Sequence, residues 1–151
     1  VSRVETIRPT VSGADTTGGG NVVNGPNAFD QNESTYAALN GAVTGGSVVQ
    51  ILSGFPDDTN PTRRTSVVVS LKLARVGWTL DDQCVVYFQV AVGEPWVIVA
   101  EFFYADLTTS AVWYDVDVSP FVGATPSSGW RIGVGNYDGP PPGPPDPQIP
   151  G

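Results

Sequence analysis

Between Ser66 and Val134, apolar residues recur at every second position through successive short runs, and this period of two constrains the fold more than any other feature. Successive side chains on a strand point to opposite faces, so such alternation marks a sheet with one buried face. Val67, Val69, Leu71 and Leu73 share a face, with Ser66, Ser70 and Lys72 opposite. By the same parity Cys84, Val86, Phe88, Val90 and Val92 group together, followed by Trp96, Ile98, Ala100, Phe102 and Tyr104. Val112, Tyr114, Val116 and Val118 come next, then Trp130, Ile132 and Val134, which completes the expected core. No window repeats at the helical period, and 18 glycines with 14 prolines disfavour helix interiors. Turn clusters at Gly45-Gly46, Pro56-Asp57-Asp58, Asp81-Asp82 and Gly93-Glu94-Pro95 separate the runs. The expectation is an all-β chain, a jelly-roll β-sandwich of about eight antiparallel strands.

The 151 residues suit one domain. Residues 1–26 read as a strand, Val4 to Ile7, and a Gly/Thr/Asn-rich loop, Ser12 to Pro26, draped over the body. Residues 27–138 form the sandwich. Residues 139–151 hold seven prolines and read as an extended tail, whose Gly139, Gly143 and Gly151 are spaced wrongly for collagen.

Charge and composition exclude several functions. A net charge of −8 repels a phosphate backbone, so no nucleic-acid partner is expected. Cys84 is alone, which rules out an intrachain disulfide and suits a reducing compartment. The start, Val1-Ser2-Arg3-Val4-Glu5, has no apolar run of signal-peptide length, and Glu101 interrupts the apolar stretch Trp96 to Tyr104, so no membrane insertion is expected. With no histidine, no framed serine nucleophile and a thiol on the core parity, the chain is not expected to be an enzyme. Glu101, Asp115 and Asp117 share the outward parity and would be the carboxylates for glycoside hydrolysis, but acids on an outer sheet face are usually solvated.

The outward parity also carries Val85, Tyr87, Val97, Val99, Phe103 and Trp113, where a watered face would hold polar groups. Their expected role is a partner-binding face, unless a β-bulge shifts the parity or the chain's own ends cover them. Trp78, after Gly77 at a strand end, and Trp113 are candidate stacking platforms for a glycan.

Asp30, Asn32 and Thr35 set oxygen side chains in a tight polar turn, which suits either a hard cation such as calcium or an Asx turn. An EF-hand is excluded, because its sixth and twelfth positions would be Thr35 and Gly41. The pattern Asn27-Ala28-Phe29-Asp30-Gln31-Asn32-Glu33-Ser34-Thr35-Tyr36 resembles the opening of discoidin-like, galactose-binding-like jelly rolls. That resemblance implies a structural calcium ion held through Asp30, Asn32 and Thr35, and carbohydrate binding in some members. Where that family usually has glycine after the aspartate this chain has Gln31, and its usual tryptophan after the tyrosine is Ala37.

A second resemblance is one of layout. An Ile-Arg-Pro-Thr opening (Ile7 to Thr10), the Asp30 loop and a Gly-Trp-Arg-Ile strand (Gly129 to Ile132) look like stand-alone structural proteins of tailed phages. It implies a non-enzymatic virion protein (capsid decoration, fibre or tail-associated) assembled in a host cytoplasm. Its partners would be other virion proteins or copies of itself, with adhesion to a cell-surface glycan as a further role. The alternatives are a carbohydrate-binding module of an extracellular protein and an extracellular filament subunit.

Overall fold

The computed structural model describes residues 4–8, 14–17, 21–40, 47–51, 55–60 and 63–138. The expected proline-rich tail, 139–151, lies outside them. Among the described residues are nine strands: β1 Ala14–Thr17, β2 Asn21–Val23, β3 Ala38–Asn40, β4 Ser47–Ile51, β5 Val68–Leu73, β6 Asp82–Gln89, β7 Val97–Phe103, β8 Val112–Asp117 and β9 Arg131–Asp138. Their pairings are antiparallel. The described chain is all-β, as the alternation predicts, with one short α-helical turn, α1, at Ser119–Val122, whose second residue is Pro120.

A five-stranded sheet in the order β1-β4-β9-β6-β7 forms one layer, and two two-stranded ribbons, β5-β8 and β2-β3, complete the described sheets. The main core lies between the large sheet and β5-β8. Val86 and Phe88 on β6 and Ile132 on β9 meet Val116 and Val118, with Val67, Val69 and Leu71 packed against them. Trp130 meets Phe88 edge-on at 5.8 Å, and Val122 of α1 joins the same cluster.

The N-terminal third differs from expectation. β1 and β2 fall inside the stretch expected as a loop; their few apolar residues give little signal, and backbone pairing with β4 and β3 makes them strands. Val4 to Ile7, expected as a strand, joins no ladder among the described residues. Ile7 instead packs on the main core, and the Glu5 carboxylate accepts the Thr59 hydroxyl at 2.9 Å.

The large sheet is buried on both faces along β6. Val85 and Tyr87, expected on an outer face, are fully buried. With Trp96 and Tyr137 they make a second cluster, against which Ile98 packs. Gly133 lies opposite Tyr87 and Gly135 opposite Val85, so β9 leaves room for aromatic rings on this side. The Tyr137 ring fills that room above Gly135, and its hydroxyl meets that of Tyr87 at 2.9 Å.

A β-bulge corrects the parity of β7. Val86 pairs with Ala100, but Tyr87 pairs with Ile98, so Val99 is an extra residue in β7. Ala100 and Phe102 face the main core as expected, yet Val97 and Val99 also pack on it, and Trp96 and Ile98 turn to the second cluster. The six residues expected to share one partner-binding face are therefore divided. Val85, Tyr87, Val97 and Val99 are taken up inside, while Phe103 and Trp113 stay 49% and 55% exposed. Two expected core residues, Val92 in the turn between β6 and β7 and Val112 at the start of β8, are exposed instead.

Candidate functional site

The Asp30 loop follows a 3-10 turn over Gly25–Phe29 and is closed by its own hydrogen bonds. The Asn32 amide donates to Asp30 Oδ1 at 2.8 Å, and the Thr35 hydroxyl donates to Asp30 Oδ2 at 2.7 Å. The Ser34 amide donates to Asn32 Oδ1 at 3.0 Å. These bonds, that from Thr35 first and that from Asn32 next, hold the Asp30 carboxyl below the usual carboxylate range. The geometry is that of consecutive Asx turns. Asp30, Asn32 and Thr35 come together as expected, but their side-chain oxygens are engaged within the loop: Asp30 with the Thr35 hydroxyl and the Asn32 amide, and Asn32 with the Ser34 amide. One carboxylate is also a poor match for the six to eight oxygens calcium takes. Among the described residues no group of three or more His, Cys, Asp or Glu could hold a metal.

The loop's reach comes from Glu33, which sequence reasoning did not single out. Its Oε1 accepts the Trp113 indole N–H at 3.2 Å and the Lys72 ammonium at 3.3 Å. Lys72 and Trp113 are cross-strand partners on β5 and β8. Glu33 therefore ties the loop to the outer face of the ribbon and fixes the edge of an exposed ring.

That outer face is set by the core. Val69, Leu71 and Val116 point inward, so Val68, Ser70, Lys72, Trp113, Asp115 and Asp117 point out. The Ser70 hydroxyl donates to Asp115 Oδ1 at 2.6 Å, and the Ser119 amide donates to Asp117 Oδ1 at 2.9 Å. The Ser119 hydroxyl and then its amide keep the Asp117 carboxyl below its ordinary range. The face thus offers one open aromatic ring and ionised acceptors in a row.

The other candidates are dispersed. Trp78 is partly buried and belongs to neither described core cluster. Phe103 ends β7, the edge strand, with its neighbour Phe102 in the core, so it points to the far side of the sheet from the ribbon. Glu101 shares that side, whereas Asp115 and Asp117 lie on the ribbon's outside. Glu101 therefore stands apart from Asp115 and Asp117, which stay together on the ribbon's outer face, so the three carboxylates grouped by parity form no single cluster. Burial pushes the Cys84 thiol up to about 12, which leaves it inert at neutral pH.

A shallow depression near α1 is lined by Arg64, Ser66, Val67, Ser119 and Val122. Its cation is already committed: Arg64 pairs with Asp58, donates to the carbonyls of Gly123 at 2.9 Å and Thr125 at 2.5 Å, and stacks 5.0 Å from the Trp130 ring. This constellation is a structural tie.

No known protein family, curated protein or solved structure matches this chain.

Proposed function

We propose that this chain is a non-enzymatic structural protein of a phage-like virion, a jelly-roll domain serving as a capsid decoration, fibre or tail-associated component. It works by docking on other virion proteins or on copies of itself. The phage-like layout of the sequence supports this, as does a described structure made of sheets and turns. The observation that carries it is the placement of Phe103 and Trp113, half exposed on opposite sides of the sandwich. A body with different sticky points on two sides can engage neighbours head to tail and build an array. Two half-buried rings leave about 200 Å² of apolar surface. Covering it is worth about 5 kcal/mol gross, before association costs. One such contact is weak, and repetition in a particle makes it sufficient.

Light scattering after size exclusion, over a range of concentrations, tests this. The wild-type chain should associate as concentration rises, and the double variant Phe103→Ser with Trp113→Ser should stay monomeric. A wild-type chain that is monomeric throughout and binds no virion component would remove the docking role.

A second reading, carbohydrate binding at the ribbon, is favoured by one observation. The open Trp113 ring stands beside Glu33, Ser70 and Asp115, which suit an apolar sugar face and its hydroxyls. Glycan-array binding lost in Trp113→Ala and kept in Trp78→Ala would support it.

A further inference from the structure

The outer face of β5-β8 has a charge sign as well as a surface. Trp113, Asp115 and Asp117 occupy alternate exposed positions of β8, which spaces neighbours about 6.6 Å apart in an extended strand. The described ion pairs are Arg64–Asp58 and Lys72–Glu33, so among the described residues neither Asp115 nor Asp117 has a cationic partner. Lys72, the cation of this face, is already held by Glu33, and the chain as a whole carries −8. An open indole ring and two uncompensated carboxylates thus stand in line.

We infer that this face receives an extended basic segment of a partner protein. One Arg or Lys lies over Trp113, and cationic side chains at the next alternate positions reach Asp115 and Asp117. The inference rests on the docking role and adds the chemistry of the occupant. A strand-like segment repeats its side chains on one side at the same spacing as β8, so alternate cations fall in register with the row. The indole face attracts a guanidinium or ammonium through its quadrupole, and the carboxylates attract the cations that follow. A neutral sugar would leave both carboxylates without a counter-charge, and a nucleic acid would be repelled.

Fluorescence anisotropy at low ionic strength, with a labelled Arg-Thr-Lys-Thr-Lys peptide and its all-Gln analogue, is the direct test. The basic peptide should bind and the Gln analogue should not. Trp113→Ala should weaken binding about two- to fivefold, and Asp115→Asn with Asp117→Asn about five- to tenfold. The control pair Asp57→Asn with Asp81→Asn removes the same charge from exposed acids elsewhere and should change affinity less than about twofold. Thermal melts of all variants exclude loss of fold as the cause. Equal weakening by the two double variants would mean that only net charge attracts the peptide, and would overturn the inference. So would equal binding of the Gln analogue, or no binding of the basic peptide. A chain that self-associates through Phe103 and Trp113 yet ignores the peptide keeps the docking role and loses this occupant. A monomeric chain that binds the peptide in the stated pattern keeps the occupant and loses self-assembly.

Discussion

Gln31 holds φ at 63°, where a β-carbon crowds the following carbonyl. The Asx turns around Asp30 impose this conformation, and glycine adopts it without strain. Gln31→Gly would relieve about 1–2 kcal/mol of strain and return about 0.5–1 kcal/mol to the unfolded chain's entropy. Urea unfolding should therefore show a net gain of about 0.5–1 kcal/mol; a loss would mean that the Gln31 side chain contributes a contact of its own. Gly135 is the opposite case. A β-carbon there would lie 2.5 Å from Cε2 of Tyr137, a ring locked in a buried cluster. Gly135→Ala should destabilise by about 2 kcal/mol through overpacking, and an unchanged urea midpoint would show that the ring can yield.

At the level of elements, the tie between Asp58 and Arg64 does what no strand pairing does. It fastens the segment 55–60 to the connection between α1 and β9, because Asp58 also accepts the Ser127 amide and the Ser127 hydroxyl bonds the Pro56 carbonyl at 2.5 Å. Burial pushes the Asp58 carboxyl up, but the Ser127 amide and the Arg64 charge outweigh it, leaving it below the ordinary value. A depressed folded pKa contributes stability that is present above the unfolded value, about 3.9, and is lost as pH falls through the folded one. Asp58→Asn should therefore cost about 2–3 kcal/mol at neutral pH, and the gap from wild type should close below about pH 4. A gap that persists in acid would assign the loss to packing instead. This tie was invisible in the sequence, since Asp58 and Ser127 are 69 positions apart, and so was the Glu33–Trp113 contact, 80 positions apart. What was legible is the phase of β5, β8 and β9, where polar residues or, on β9, glycines interrupt the apolar run: Val69, Leu71, Val116, Ile132 and Val134 sit as the alternation demands. β7 was not legible, because Trp96 to Ala100 is apolar at every position and a uniform run carries no phase. Its facing is fixed only by the ladder with β6 and by the bulge at Val99. The Asp30 turn, by contrast, was readable from residue types alone, because its bonds span five residues or fewer.

For the whole molecule, the charge of −8 gives the two kinds of docking opposite responses to salt. Copies of this chain repel one another at long range, and their attraction through Phe103 and Trp113 is apolar. The screening length falls from about 30 Å at 0.01 M to about 8 Å at 0.15 M. Over that interval the repulsion between copies shortens while the apolar contact is almost unaffected. Self-association should thus strengthen as salt rises from 0.01 to 0.15 M. A basic segment on the Trp113 row is drawn by the same charge, so its binding should weaken over the same interval, leaving mainly the ring contact. Sedimentation velocity of the chain alone and anisotropy of the basic peptide, each run along one salt series, read the two trends side by side. Opposite slopes are expected. Self-association that weakens with salt would mean that copies meet through charge pairs, and would place the contact away from Phe103 and Trp113. Peptide binding indifferent to salt would mean that Asp115 and Asp117 do not take part.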